Sequence, residues 1–158
     1  MWAMYKKSSA AQIKLILPVI KEDKFRTVEK AGAVFIEMAK GTGKEREYDW
    51  AKKLNFAISS NDLPLIYKAV QDSKKTGIFD LKLIHDPGAG SGDKGKVIKK
   101  LTIKNATNPG TYFFSIFIST DVNISISIHN GELYEFLKFI EDNQNTILGE
   151  GEYTPAAN

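Results

Sequence analysis

Apolar residues recur with period two along most of this chain and with helical spacing along two short stretches. Val122 to His129 alternates most cleanly, with Ile124, Ile126 and Ile128 facing inward and Ser125 and Ser127 outward. That is the signature of a strand with one buried face. In Thr111 to Ser119, Tyr112, Phe114, Ile116 and Ile118 share one face, and Phe113, Ser115, Phe117 and Ser119 the other. Lys96 to Lys104 and Ile78 to His85 read as two more strands of the same half, with a turn at Asn105 to Gly110. Earlier in the chain, Ile13 to Ile20 predicts a strand bent near its end by Pro18. Phe25 to Lys30 predicts a weaker one, and Ala33 to Lys40 one that is apolar on both faces apart from Glu37. Tyr48 to Ile58 predicts a fourth, with Tyr48, Trp50, Lys52, Leu54, Phe56 and Ile58 on a single face.

Each set of four strands leads into a helix. Ser59 to Asp62 is a cluster of capping residues, Pro64 suits a first turn, and Leu65, Ile66, Ala69 and Val70 form an apolar stripe. After Asn130–Gly131, Leu133, Phe136, Leu137 and Ile140 form the second stripe, which can continue to Ile147 and Leu148. The order is therefore ββββα, twice. It predicts an α+β fold of two four-stranded antiparallel sheets packed on each other, each followed by a helix. One domain over residues 1–148 is expected, followed by an acidic tail, 149–158, without regular structure.

Composition narrows the chemistry. The 158 residues include no cysteine, which excludes disulfides, zinc–thiolate sites and thiol catalysis and suits a reducing compartment. No apolar run is long enough for a membrane span. Gln12, Lys14 and Pro18 break the apolar patch near the start, so neither a signal peptide nor an organelle transit peptide is expected. The net charge of +3 conceals a division. Residues 1–120 carry 21 Lys and Arg against 12 Asp and Glu, and the remainder one against seven, so +9 is set against −6. A basic body of this kind suits an anionic partner.

Enzymatic motifs fail on inspection. Gly90 to Lys96 has the GxxxxGK spacing of a phosphate-binding loop. However, Val97 stands where a magnesium-binding hydroxyl is needed, and a strand follows instead of a helix. His85 and Asp86 are neighbours on a strand and point to opposite faces. With one other histidine, His129, and scattered carboxylates, neither a metal site nor a catalytic set is expected, and no cofactor is implied. The lysines are more informative: Lys7, Lys14, Lys52–Lys53, Lys96, Lys99 and Lys100 lie among aromatic residues. Phosphate contacts account for them, and so do solvated edge lysines that prevent sheet-to-sheet pairing. The exposed-phase pair Phe113 and Phe117 suits either a stacking platform or a subunit contact.

Three segments resemble the Whirly family of single-stranded DNA-binding proteins. Tyr5 to Ala11 resembles its YKGKAAL opening, with Ser8 for the glycine and Ser9 for the second lysine. Arg46 to Lys53 resembles its RxYDWxxK signature. His85–Asp86–Pro87, followed by Gly95–Lys96–Val97 and Lys99, resembles HDP…GKVRK, with Ile98 for the arginine. The resemblance runs from about Tyr5 to about Leu148. It implies roughly perpendicular four-stranded sheets, helices packed at the centre of a homotetramer, and single-stranded DNA lying along the sheets with little sequence preference.

On that resemblance, Phe35, Tyr48, Trp50 and Phe113 are expected to stack on bases. Lys7, Lys14, Lys52, Lys53, Lys96, Lys99 and Lys100 are expected to meet phosphates. A non-enzymatic role in replication, recombination or repair follows. RNA binding, transcriptional modulation by the same fold, and an interaction module that binds no nucleic acid are the alternatives. The acidic tail could recruit a protein partner or compete with DNA. The Lys-, Ile- and Asn-rich wording suggests an AT-rich bacterial or phage gene and a cytoplasmic setting.

Overall fold

The computed structural model describes residues 1–87, 97–119 and 122–157. Its elements are β1 (Trp2–Tyr5), β2 (Ser9–Ile16), β3 (Val19–Ile20), β4 (Val28–Lys30), β5 (Ala33–Lys40), β6 (Leu54–Ile58) and α1 (Leu63–Thr76). These are followed by β7 (Asp80–His85), β8 (Lys99–Asn105), β9 (Thr111–Ile118), β10 (Val122–His129), α2 (Asn130–Ile147) and β11 (Thr154–Pro155). The first four-stranded sheet has the order β1-β2-β5-β6, and the second has β10-β9-β8-β7. All neighbours within these two sheets are antiparallel. A small third sheet, β11-β3-β4, lies beside them.

The alternation explains where the core sits. Leu83, Leu101, Ile116 and Ile124 are in register across the second sheet and all are buried. Val34, Ile36 and Met38 on β5 are matched by Ile58, Phe56 and Leu54 on β6, again all buried. These inward faces form one continuous apolar core with parts of both helices. Phe136 on α2 closes it, lying 4.9 Å from Phe114 and 6.4 Å from Trp2 between ring centroids. Polar ties join the sheets and α2. Ser9 Oγ donates to the Ser125 carbonyl at 2.8 Å, and Lys6 Nζ meets Glu132 Oε1 at 2.7 Å.

Both helices begin at reciprocal side-chain caps, of which only the first, at Ser59–Asp62, matches the expected capping residues. Ser59 and Asp62 form a reciprocal capping box before α1, Pro64 occupies its first turn, and left-handed Gly77 (φ 73°) stops it. His129 caps α2, its Nδ1 accepting from the Glu132 amide while Glu132 Oε1 accepts from the His129 amide.

The first sheet differs from the sequence expectation in membership. Its edge strand is Trp2–Tyr5, and the expected strand at 25–30 contributes only Val28–Lys30 to the small sheet. The residues after β2 explain this: Pro18 ends one ladder, and Val28–Lys30 is exposed throughout, with no apolar face to bury. The tail also has structure. Thr154–Pro155 pairs in parallel with Val19–Ile20, and the Tyr153 hydroxyl meets Glu22 at 3.1 Å. The GxxxxGK loop, 90–96, lies outside the described residues. No helix among the described residues is long and apolar enough to cross a membrane.

Candidate nucleic-acid interface

The outward face of the first sheet is built around one carboxylate. Gln12, Glu37 and Asn55 form a cross-strand row, and Lys14, Phe35 and Ala57 form the next. Glu37 is 5% exposed. A charge so placed requires partners, and it has two. Lys14 Nζ lies 3.2 Å from Glu37 Oε2, and Lys53 is ion-paired to Oε1. The hydrogen bond from Lys53 draws the Glu37 pKa below the ordinary glutamate value. Burial works against that lowering, and Lys14 adds to it. Lys14 also stands over the Phe35 ring, 5.3 Å from its centroid. Phe35 and Lys14 are thus adjacent and outward-facing, but Lys14 and Lys53 already share one negative charge.

Beyond β5 the chain forms a compact loop. Gly41 bridges to Tyr48, and the Gly41 amide donates to the Ser8 carbonyl at 2.8 Å. A Cβ at Gly41 would lie 3.2 Å from the Lys7 carbonyl, so a larger residue would push the loop off the β1–β2 turn. The Tyr48 hydroxyl donates to the Lys6 carbonyl at 2.6 Å. Tyr5, Tyr48 and Trp50 then follow ring to ring, at 5.7 and 6.5 Å.

Tyr48 to Ile58 is not one strand. Trp50–Lys52 is a 3₁₀ turn, and extended pairing begins only at Leu54. The shared face expected for Tyr48, Trp50, Lys52 and Leu54 therefore does not exist. The reason lies in Ala51–Lys52–Lys53, a run of exposed residues with no apolar alternation, which a paired strand could not place. Lys52 extends into solvent, 87% exposed by its side chain and 4.0 Å from Asp49.

The outward face of the second sheet is arranged differently. Ile84, Lys100, Phe117 and Asn123 form one row, and Asp80, Lys104, Phe113 and Ser127 another. Lys100 Nζ stands 4.5 Å from the centroid of the Phe117 ring. Phe113 is 50% exposed. Between the rows, buried Thr102 and Ser115 leave a shallow floor, and Ser115 shares a hydrogen bond with Ser125 at 2.5 Å. Lys99 is on the opposite side of β8 and donates to Asn55 Oδ1 at 2.5 Å, joining the rims of the two sheets. Lys7 is exposed at the end of β1, and Lys96 lies outside the described residues.

Two constellations escaped the sequence reading. The first is the Lys14–Glu37–Lys53 cluster, whose only sequence signal is a lone glutamate in an otherwise apolar strand. The second is His85, whose Nε2 lies 2.8 Å from Oδ2 of buried Asp62 and whose ring stacks on Phe56 at 4.2 Å. It fixes the start of α1 to the end of β7, a pairing invisible in sequence because 23 residues separate the partners. Among the described residues, no group of histidines and carboxylates could hold a metal ion.

Two four-stranded antiparallel sheets with lysine–aromatic outward faces, each followed by a helix, define a recognisable class. A model of the Whirly transcription factor family matches residues 4–138, and the chain belongs to the Whirly family. It is similar to the single-stranded DNA-binding protein WHY2, mitochondrial, of Arabidopsis thaliana: 27% identical over 124 residues, covering 77% of this chain and 49% of that protein. It is also similar to the single-stranded DNA-binding protein WHY1, chloroplastic, of Solanum tuberosum: 28% identical over 111 residues, covering 66% of this chain and 38% of that one. The chain thus spans about half the length, or less, of these relatives. The crystal structure of WHY3 from Arabidopsis thaliana superposes with a TM-score of 0.77, at 21% identity, over 94% of this chain and 88% of that one. The structure of the plant transcriptional regulator PBF-2 gives 0.78, at 21% identity, over 94% and 89%. They share the α+β fold.

The relatives also correct one expectation. The bacterial or phage source and cytoplasmic setting suggested by composition are overturned, because the relatives are plant proteins named as mitochondrial or chloroplastic. A bias toward Lys, Ile and Asn reports base composition, which different lineages and genomes share.

Proposed function

We propose that this Whirly-family chain binds single-stranded DNA along the outward faces of its two sheets, with little sequence preference, and catalyses no reaction. The observation that carries this is the placement of cations directly on outward rings: Lys100 on Phe117 beside exposed Phe113, and Lys14 on Phe35. Bases present π-faces along a chain of negative charge, and ring-plus-cation surfaces suit them without reading base edges. The names of the relatives support the same ligand. Replication, recombination or repair are the processes such binding serves.

The functional unit is a homotetramer assembled through the helices. A groove of about 520 Å³ runs between α1 and α2, lined by Val70, Leu137 and the exposed Tyr67 and Tyr134. Apolar rings left open on adjacent helices suit burial against another copy. A native mass measurement with and without a labelled oligo-dT strand tests both statements. The expected result is four chains alone and four chains plus DNA in the mixture. A monomer that takes up no strand would refute the proposal.

A further inference from the structure

The lysines of the first sheet are poorly placed to hold phosphates. Lys14 and Lys53 converge on Glu37, so three charged groups present a net +1, with an ionised carboxylate between the cations. A phosphate laid over them meets repulsion from Glu37 as well as attraction. The uncompensated charge lies instead where β5 runs out. There a cleft of about 970 Å³ opens between the β1–β2 turn and the loop after Gly41, lined by Tyr5, Lys7, Lys44, Arg46 and Tyr48 among others. Lys7 and Arg46 are exposed and in no ion pair among the described residues. Lys44 has only a loose contact with Glu47, at 3.9 Å between exposed side chains. Glu45 is the one acid in the lining. The rings of Tyr5, Tyr48 and Trp50 lead from the strand face to this cleft.

We infer that, on the first-sheet side of the protein, the sugar–phosphate chain passes through this cleft, with phosphates held by Lys7 and Arg46. Lys14 and Lys53 stay bound to Glu37 and frame the platform on which bases lie. Arg46 suits the task because its planar guanidinium can grip a phosphate through two parallel hydrogen bonds. Glu37 is then a positioning residue: it keeps Lys14 over Phe35 and keeps phosphate off the strand face. The inference rests on the single-stranded DNA reading above and divides that site into a base platform and a backbone channel.

Salt titrations of labelled oligo-dT binding to the full chain test the division. Each phosphate neutralised on a single strand steepens the fall of log affinity with log salt by about 0.7. Lys7→Gln and Arg46→Asn should each flatten the slope by about that amount. Asn is chosen because Arg46 has a left-handed backbone (φ 56°), which Asn tolerates. Lys14→Gln and Lys53→Gln should leave the slope unchanged, and Glu37→Gln should steepen it by releasing two lysines. Flattening by the Lys14 and Lys53 variants, or none by the cleft variants, would overturn the division while leaving single-strand binding intact. Failure of the unaltered protein to bind oligo-dT would instead refute the underlying reading. Thermal melts of each variant confirm that a slope is read from folded protein.

Discussion

The two sheets share a strand count, an antiparallel pairing pattern and an apolar inward face, yet their outward faces differ in one respect. On the first sheet, the cations beside the aromatic ring are tied to a buried carboxylate. On the second, Lys100 rests on Phe117 with no ion pair among the described residues, and Phe113 stands open. One backbone scaffold therefore carries a charge-compensated platform and an uncompensated one. The comparison shows that counting lysines near aromatics overstates the charge left free for an anion. What matters is which lysines are already occupied.

The largest effect expected comes from two neighbours on β9 that point to opposite sides. Phe114→Ala should lower stability by about 3–5 kcal/mol, because the ring is fully buried against Phe136. Phe113→Ala should leave the denaturation midpoint nearly unchanged and weaken oligo-dT binding by about 1–3 kcal/mol. Chemical denaturation and fluorescence anisotropy on both variants check this. Equal losses of stability would mean that Phe113 belongs to the packing.

Phe35→Ala probes the same property on the compensated face, and a comparable loss of about 1–3 kcal/mol in binding is expected there. Trp50→Ala tests whether the ring line beyond β5 takes part. The half-buried indole lies outside the core cluster, so affinity should fall while the thermal midpoint holds. Unfolding of the Trp50 variant would show that the ring braces the loop instead.

The smallest effect concerns Glu37 alone. Its folded pKa lies below the ordinary value of 4.5, so its ionised form stabilises the fold above about that pH. The contribution is lost as pH falls through the lowered pKa. Melting curves between neutral and acidic pH should therefore show a shallower acid limb for Glu37→Gln than for the unaltered chain. Identical limbs would mean that the two lysines do not hold the carboxylate.

How much of this was legible beforehand varied with the physics involved. Strands whose inward residues alternate without interruption, such as Val122–His129, declared themselves, because period-two alternation is what a one-sided sheet imposes. The start of α1 was legible through Ser59, Asp62 and Pro64, but the cap of α2 is His129, one residue before the Asn130–Gly131 pair that marks that start in the sequence. Trp2–Tyr5 was not, since four residues carry too little alternation to stand out. Nor was the turn at Trp50–Lys52, where aromatic and apolar residues at the right parity masked the adjacent exposed lysines. On the candidate interface, the outward placement of Phe113 and Lys100 could be read from phase, whereas Phe35, on a strand apolar on both faces, was expected only from the family resemblance. Pairing could not: Lys14 on β2, Glu37 on β5 and Lys53 just before β6 are far apart in sequence and meet only through the register of the sheet.

The central claim is that this surface takes single-stranded DNA through stacking and phosphate contacts. Fluorescence anisotropy of a labelled oligo-dT and a duplex of equal length, each titrated across a salt series, tests it most directly. Tighter binding to the single strand, with affinity falling steeply as salt rises, is the predicted result. Weaker binding to the single strand than to the duplex, insensitive to salt, would contradict it.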